Sequence, residues 1–402
     1  FGSRVGCWNQ FGRTVCFLSV AMHMIALALS FLAIVAEGRR VQVSSANVID
    51  KVVDLIPSLE SLAAKIPGFK GPKAGNFKVV VCGASGGIGQ PLAMLMSMNP
   101  NVGEVSVYDL TIARVPPAGV AADLSHLDKK AKVVGYVKAL DEKAIDVLGD
   151  ALSGASLVLV PAGLPRKPGQ TRDDLFKVNA GIAQEVVEAA AKYCPGAILG
   201  LIVNPVNSIV PAMAELYRKK GLDPRKIVGV TSLDGIRANK FVAEIVGADP
   251  EEVAVPVIGG HAGVTIMPVF SQDKYAKTIP AEDIPELDKH VQNAGTDVVN
   301  AKNGKGSATL SMAYAGARLG SAVLAGLSGT PTTECAYVKS DVVKGLPYFT
   351  SKVTFGKKGV EKVHPIGALN AYETGRLEEA KAALKKEIQS GLDYAVNNTL
   401  AS

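Results

Sequence analysis

Cysteine is scarce in this chain, and the few cysteines form no site that a motif would reveal. Five are spread over 402 residues, with no C-x-x-C pair and no grouping of Cys and His at the spacing of a zinc site. A disulfide-stapled secreted domain and a structural zinc module are therefore excluded as models for it. We interpret the cysteines as free thiols in a reducing compartment.

An excess of charge of either sign is also missing from most of the chain. Residues 1–76 carry eight Lys or Arg and four Asp or Glu, which accounts for +4 of the net charge of +6. The rest holds 35 basic and 33 acidic side chains. Nucleic-acid-binding surfaces need clustered positive charge, so no nucleic-acid partner is expected. The hydrophobic share of 48% is ordinary for a globular protein.

Residues 14–36 contain no Lys, Arg, Asp or Glu. Arg4 and Arg13 precede this apolar run, and Arg39 and Arg40 follow it. The run exceeds the roughly 18 residues that a membrane-spanning helix needs, whereas the apolar region of a simple signal peptide is shorter. We therefore interpret residues 1–76 as a targeting leader, made of an apolar signal and a basic spacer, that contacts membrane during targeting.

The destination of this leader has several interpretations. An apolar signal followed by a basic spacer resembles bipartite import into a plastid bounded by extra membranes, which is the prediction we favour. A mitochondrial presequence is normally amphipathic and Arg-rich, so it fits less well. Two further interpretations are a retained membrane anchor and an incomplete start, since Phe1 is not an initiator Met.

Residues 77–98 read as a strand, a glycine-rich turn and a helix. Residues 77–82 form a β-branched run typical of a buried strand, and the following turn has the spacing G-x-x-G-x-x-G. Such a turn lets backbone N–H groups approach a pyrophosphate at the start of the helix. The candidate cofactor-binding residues here are Gly83, Gly86, Gly87, Ile88 and Gly89.

Asp109 strengthens the prediction of a dinucleotide site. It ends a second predicted strand, residues 104–108, and lies 20 residues after Gly89. An acidic side chain at this place hydrogen-bonds the adenosine ribose hydroxyls and repels a 2′-phosphate. The predicted cofactor is therefore NAD rather than NADP.

Strands and helices continue to alternate along the chain. Apolar strands are predicted at residues 156–160 and 198–203, separated by a helix over 173–193. This alternation predicts an α/β fold with an N-terminal Rossmann doubly wound parallel sheet, over residues 77–221. We expect residues 222–402 to form a mixed α+β substrate domain that ends in a helix around residues 376–397.

Polar and charged residues follow several of these strands, where ligands of such sheets bind. The loop after residues 156–160 carries Arg166 and Arg172, and Asn204 follows the next strand. Asp234 and Arg237 then share one face of a predicted helix. Taken singly, a solvated basic loop and an exposed ion pair would explain these residues equally well.

His261 follows a predicted strand over residues 253–258, inside the sequence Gly-Gly-His-Ala-Gly. A histidine flanked by glycines at a strand end has room for a ligand beside it. The other histidines after the leader, His126, His290 and His364, have no comparable surroundings.

Six motifs together resemble the NAD-dependent malate dehydrogenases of the mitochondrial, glyoxysomal and plastid type. They occur in that family's order and at its spacings, and the resemblance spans residues 77–400. The motifs are GASGGIGQ, AGLPRKPGQTRDDL, NPVNS, TSLDGIRAN, GGHAG and GSATLSMAYAGAR.

The resemblance implies a role for each candidate residue. His261 would take the hydroxyl proton of malate while hydride leaves for nicotinamide, and Asp234 would orient it and favour imidazolium. Arg237 would bind one carboxylate and Arg166 the other, and Arg172 would help polarise the carbonyl of oxaloacetate. The loop that holds the last two would close over the substrate.

The resemblance also implies further cofactor contacts and a homodimer. Asn204 would bind substrate and place the nicotinamide, Met312 would pack near that ring, and Asn179 would contact the cofactor. The chain departs from the family pattern at Gln170, Ser232, Gly235 and Lys240, none of which removes a charged role. Gly235 is expected to loosen the helix that carries Asp234.

Three other functions compete with malate dehydrogenase. Lactate has one carboxylate, so a lactate dehydrogenase carries a neutral residue, typically Gln, where Arg166 stands. Short-chain dehydrogenases need Tyr-x-x-x-Lys on a mid-chain helix, and the match here, residues 348–352, is C-terminal and strand-like. The third competing function is that of a non-catalytic NAD-binding relative.

Overall fold

The computed structural model describes residues 77–139, 145–164 and 172–400, and gives the backbone but not the side chains of residues 145, 146 and 172–174. The proposed targeting leader, with its apolar run at residues 14–36, lies outside the described residues. Arg166 and Gln170 lie outside them as well, and Arg172 is described by its backbone alone.

Six parallel strands form the first part of the sheet. They are β1 (Phe77–Cys82), β2 (Val102–Leu110), β3 (Lys132–Lys138), β4 (Ala155–Val160), β5 (Ile198–Leu201) and β6 (Ile227–Gly229). Their order across the sheet is β3-β2-β1-β4-β5-β6, so the direction of winding reverses between β1 and β4. This order confirms the predicted doubly wound sheet and places a ligand crevice beyond the carboxyl ends of β1 and β4.

Helices cover both faces of these strands, as the buried strands require. They are α1 (Gly89–Ser97), α2 (Pro117–Leu124), α3 (Ile145–Leu152), α4 (Arg172–Tyr193) and α5 (Val206–Lys219). Side chains of β1 alternate between two apolar layers because successive residues of a strand point to opposite faces. Val79 and Val81 belong to one layer, whereas Val80 and Cys82 belong to the other.

The second half of the chain extends the same sheet with antiparallel strands. Its elements are α6 (Ser232–Val246), β7 (Val257–Gly259), β8 (Ile266–Pro268), α7 (Ile284–Ala301), α8 (Leu310–Leu327), β9 (Thr332–Val343), β10 (Leu346–Gly356), β11 (Gly359–Val363) and α9 (Ala371–Asn397). The strand order continues β6-β9-β10-β7-β8, with β11 beside β10. The expected mixed second half is confirmed.

Short 3-10 turns join several of these elements. They are Pro224–Lys226, Gly263–Thr265, Phe270–Gln272 and Ala276–Thr278. Within the described ranges, α8 is the one helix whose length and apolarity would suit a membrane span, but most of it is buried inside the molecule. Its buried face packs on the sheet, so we assign it to the core.

Two element boundaries differ most from the sequence-based expectation. The strand expected over residues 253–258 is only β7, because the N–H groups of Ala254 and Val255 donate to side chains of Asp273 and Asn239 instead of a neighbouring strand. Pro256, which follows them, has no N–H to donate.

The last helix starts earlier than expected, at Ala371 rather than near residue 376. Asn370 and Glu373 form a capping box: the Asn370 side chain accepts from the Glu373 N–H at 2.8 Å, and the Glu373 carboxylate accepts from the Asn370 N–H at 3.0 Å. The apolar face that begins at Leu377 therefore belongs to a helix already under way.

Candidate active site

The glycine-rich turn after β1 owes two of its glycines to close backbone packing. Gly83 has a φ of 93°, in the left-handed region, and a Cβ there would lie 2.7 Å from the backbone of Ala162. A Cβ on Gly89 would lie 2.0 Å from the Gly83 carbonyl oxygen. Only glycine fits at either position, so the turn brings the start of α1 directly over the end of β1.

Gly86 and Gly87 have a different reason to be glycine. A Cβ on Gly86 would approach only the Gly83 oxygen, at 3.4 Å, and one on Gly87 would meet the Thr309 side chain at 3.1 Å. Both glycines line a cavity of about 660 Å³ in front of the turn. Side chains here would fill that cavity, so the bare backbone suits a pyrophosphate held at a helix N-terminus.

Asp109 lies within β2, beside the glycine turn. One carboxylate oxygen accepts from the Ser85 N–H at 2.9 Å, and the other accepts from the N–H of its own neighbour Leu110 at 2.8 Å. Each carboxylate oxygen has a second lone pair, so a ribose hydroxyl can still donate to it. The predicted acid therefore stands beside the predicted turn.

Asn179 uses its amide within the protein. Its side-chain oxygen accepts from the Leu164 N–H at 2.8 Å, and its NH₂ group donates to the carbonyl oxygens of Leu164 at 3.1 Å and Asn204 at 2.7 Å. Asn179 is buried, although it lines the same cavity as the glycines. Its side chain links the loop that follows β4 to the loop that follows β5. Asn179 therefore determines the shape of the cavity through contacts within the protein.

A second cavity of about 590 Å³ adjoins the first. Residues that line both are Ile88, Ile202, Asn204, Val299, Gly304 and Ser307. The second cavity is lined further by Asp234, Arg237 and His261, and by Met312, which is almost fully buried. One crevice thus leads from the glycine turn to the candidate catalytic residues, and Asn204 lies where its two parts meet.

His261 and Asp234 form a close pair at the inner end of this crevice. His261 Nδ1 lies 2.6 Å from Asp234 Oδ2, and Asp234 is fully buried. A carboxylate at this ring nitrogen holds its proton there, which leaves Nε2 to exchange a proton with a ligand. Asp234 lies in the first turn of α6, where a negative charge is favoured by the helix dipole.

Arg237 lies one helical turn after Asp234 and faces the same cavity. Its Nη1 is 3.8 Å from Asp234 Oδ1, too far for a hydrogen bond, and its side chain is only 14% exposed. Burial lowers the pKa of the Arg237 guanidinium, while Asp234 and Asp297 act in the opposite direction. Among the described lining residues Arg237 is the only Lys or Arg, so a carboxylate ligand there has one fixed cation to bind.

Several residues of this site were not expected from the sequence. Gln292, Gly295 and Thr296 of α7 line the cavity, and a Cβ on Gly295 would lie 3.8 Å from Arg237 Nη1. Gln292 and Thr296 are four residues apart on a helix, hence on one face, but that spacing alone is common on solvated helices. No local motif therefore marked them.

Comparison with known proteins agrees with this geometry. Residues 77–229 match the model of the lactate/malate dehydrogenase NAD binding domain, and residues 231–395 match the alpha/beta C-terminal domain of the same family. Over 323 residues the chain is 52% identical to a glyoxysomal malate dehydrogenase of Citrullus lanatus, covering 80% of this chain and 88% of that one.

Two further relatives have the same description. A mitochondrial malate dehydrogenase of Chlamydomonas reinhardtii is 52% identical over 318 residues, covering 79% of this chain and 82% of that one. The solved structure of the malate dehydrogenase from Picrophilus torridus superimposes with a TM-score of 0.70 at 26% identity, covering 80% of this chain and 99% of that one. The NAD-binding match in the first half, the C-terminal match in the second half and the His–Asp pair within that second half agree on one conclusion: the chain belongs to the lactate/malate dehydrogenase family of NAD-binding oxidoreductases.

Proposed function

We propose that this chain interconverts (S)-malate and oxaloacetate, with NAD as the hydride carrier. The observation that carries the proposal is the His261–Asp234 contact of 2.6 Å beside Arg237, in a crevice continuous with the glycine turn. NAD supplies the hydride acceptor when it is bound along that crevice. The protein must then move one proton and hold a dicarboxylate.

His261 is the proposed proton acceptor and donor. Its Nε2 takes the hydroxyl proton when malate is oxidised and returns it to the carbonyl oxygen when oxaloacetate is reduced. The buried Asp234 carboxylate stabilises the imidazolium that exists between these events. Neither residue needs to change position, so the pair serves both directions.

The arginines are the proposed carboxylate ligands. Arg237 faces the cavity and can present two N–H groups to one carboxylate. Arg166 is proposed for the second carboxylate and Arg172 for the carbonyl oxygen. Their side chains lie outside the described residues, so the support for these two roles is the family resemblance of the loop.

The cofactor contacts divide between backbone and side chains. We assign the pyrophosphate to the backbone from Gly83 to Gly89, including Ile88, and the adenosine ribose to Asp109. Asn204 and Met312 line the inner cavity, where they would place the nicotinamide. Asn179 lines the other cavity, beside the glycine turn, and shapes it.

A direct assay tests this proposal against two of the competing functions, a lactate dehydrogenase and a non-catalytic relative. NADH oxidation should be rapid with oxaloacetate and slower by orders of magnitude with pyruvate. Equal or faster turnover of pyruvate would identify a lactate-type 2-hydroxy-acid dehydrogenase. NADH binding by fluorescence with no turnover of either acid would identify a non-catalytic relative.

Three further assignments belong to the proposal. We divide the chain into an NAD-binding domain at residues 77–221 and a substrate domain at 222–402, and we expect a homodimer, which sedimentation measures directly. An organellar location is supported by relatives named glyoxysomal and mitochondrial. Plastid import is the finer proposal, and fusion of residues 1–76 to a fluorescent protein in an alga with a multi-membrane plastid tests it.

A further inference from the structure

We infer that Asn207 is a positioning residue for His261 and that Glu387 sets the orientation of the Asn207 amide. The inference rests on the proposed function, because it concerns the placement of the proton-transfer group. The relevant side chains lie in different elements: Asn207 in the first turn of α5, His261 in the loop after β7, and Glu387 in α9.

Asn207 holds the backbone of His261 rather than its ring. The Asn207 side-chain oxygen accepts from the His261 N–H at 2.8 Å. This N–H lies just beyond β7, which ends at Gly259, and the preceding N–H of Gly260 donates to the Thr265 carbonyl at 2.8 Å. Together with the Asp234 contact at Nδ1, the Asn207 bond fixes His261 at two separate points.

The NH₂ group of the Asn207 amide also has hydrogen-bond partners within the protein. Its NH₂ group donates to Glu387 Oε2 at 2.7 Å and to Thr265 Oγ1 at 3.1 Å, and the residue is 1% exposed. A flipped amide would turn its oxygen toward the Glu387 carboxylate and its NH₂ toward the His261 N–H. Glu387 therefore specifies which way the amide faces, since a carboxylate only accepts hydrogen bonds.

Packing leaves this arrangement little freedom. A Cβ on Gly260 would lie 2.6 Å from Asn207 Nδ2 and 2.7 Å from Thr265 Oγ1, so the amide lies directly against the backbone of the His261 loop. The Tyr337 hydroxyl donates to the Asn207 carbonyl oxygen at 3.2 Å. Proton transfer depends on placement to within a fraction of an ångström, and a 1 Å error can cost roughly 100-fold in rate.

Moving the negative charge from Glu387 to position 207 tests the inference. In Asn207→Asp the side chain still accepts from His261, but two carboxylates now face each other, so the new Asp turns away and the loop shifts. We expect kcat for oxaloacetate reduction to fall about 10- to 100-fold, with KM and NADH affinity nearly unchanged. Asn207→Asp with Glu387→Gln restores one donor and one acceptor, and we expect kcat within about threefold of wild type.

A primary isotope effect separates positioning from mere stability. With deuterated NADH, the isotope effect on kcat should rise in Asn207→Asp, because misplacement of His261 slows the chemical step itself. In the double variant the isotope effect should return to the wild-type value. Loss of folded protein would lower kcat without changing the isotope effect. Glu378→Gln is the matched control, since Glu378 is an exposed acid of α9 that pairs with Lys381, and it should behave as wild type.

Two Glu387 variants decide the matter if Asn207→Asp does not fold. Glu387→Gln can still accept from Asn207, whereas Glu387→Ala cannot, so kcat should be several-fold lower in the Ala variant and its isotope effect higher. The inference is overturned by equal kcat values for this pair, by wild-type kcat in Asn207→Asp, or by failure of the double variant to recover. A wild type that does not reduce oxaloacetate would instead refute the proposed function, and this inference with it.

Discussion

At the scale of single residues, Asp234 is expected to matter through its charge. Asp234→Asn keeps the shape and the contact to His261 Nδ1 but removes the negative charge that stabilises imidazolium. Oxaloacetate reduction starts from imidazolium and malate oxidation from neutral imidazole, so the substitution should harm reduction more. We expect kcat/KM for oxaloacetate to fall by orders of magnitude, as in other His–Asp pairs.

Measurement of kcat/KM against pH in both directions checks this expectation. In the wild type the two directions should show opposite limbs, with oxidation favoured at higher pH and reduction at lower pH. His261→Asn serves as the control that abolishes both directions, with NADH affinity retained. Identical limbs in the two directions would remove His261 from the proposed role.

Arg166 is expected to determine the choice between dicarboxylate and monocarboxylate. Arg166→Gln removes the partner of the second carboxylate, which costs about 3–5 kcal/mol if that pair is buried. Oxaloacetate kcat/KM should collapse while pyruvate gains relative to it. An oxaloacetate/pyruvate ratio equal to that of the wild type would contradict the assignment.

Asp109 is expected to determine the choice of cofactor. Asp109→Ser removes the charge that repels a 2′-phosphate, so the preference for NADH over NADPH should erode while KM for oxaloacetate stays constant. The ratio of kcat/KM values for the two cofactors measures this. Efficient use of NADPH by the wild type would show that Asp109 does not act in this way.

Residues with local signatures could be predicted, and residues that act through distant contacts could not. The glycine turn, Asp109 and His261 each stand at a strand end in an unusual local sequence. Asn207 lies in the NPVNS motif, but nothing local reveals its partners, because His261 and Glu387 are 54 and 180 positions away along the chain. Its function becomes visible only when the elements that carry these partners are brought together.

At the scale of elements, Gly235 is a position of α6 where substitution is expected to increase the stability of the protein. A Cβ at this position would meet nothing closer than the Val255 carbonyl oxygen at 4.0 Å, and the backbone is helical. Gly235→Ala should therefore raise the free energy of unfolding by about 0.5–1 kcal/mol, chiefly by restricting the unfolded chain. Urea unfolding and kcat/KM, measured together, should show higher stability with unchanged turnover.

Gly260→Ala is the contrasting variant. Its Cβ would lie 2.6 Å from the Asn207 side chain, so this substitution should lower both stability and turnover. A destabilised Gly235→Ala would mean that α6 needs the flexibility of glycine. Gly235 is thus a glycine whose replacement should stabilise a helix, as the sequence indicates. Gly260 is a glycine that close packing requires.

Element boundaries were the least predictable level of the fold. The interior of a strand or helix is determined by periodicity, which sequence displays, whereas its ends depend on where individual N–H groups find acceptors. Ala254 and Val255 lie in a strand-like sequence, yet their N–H groups donate to the Asp273 and Asn239 side chains. Such acceptors are recognisable only once α6 and the Phe270–Gln272 turn are in place.

At the scale of the whole molecule, the three cysteines of residues 77–400 are expected to report on unfolding rather than on redox state; Cys82 and Cys194 are buried and Cys335 is partly exposed. Burial raises the pKa of the Cys194 thiol to about 12 and that of Cys335 to about 11, and it raises the pKa of Cys82 further. At pH 8.5 these thiols are therefore protonated in the folded protein. Thiolate is the reactive form, so alkylation should be slow.

Unfolding returns these thiols to an ordinary pKa of about 8.5, and alkylation should then accelerate by at least about 100-fold. Iodoacetamide labelling of the full chain at pH 8.5, resolved by peptide mass spectrometry with and without denaturant, measures the three rates. Saturating NADH should slow labelling further if it stabilises the folded state. Rapid labelling of Cys194 in the native protein would contradict the expectation that its thiol is protonated in the folded state.

The continuity of the sheet has a consequence for synthesis of the chain. Gly229 of β6 pairs with Tyr337 of β9, so the border between the two family domains is a hydrogen-bonded strand pair. On a ribosome β6 emerges about 100 residues before β9, which at roughly 5–20 residues per second is a wait of about 5–20 s. During that interval the first half presents an unpaired edge strand. Its brevity, only three residues, leaves a nascent neighbour little to pair with.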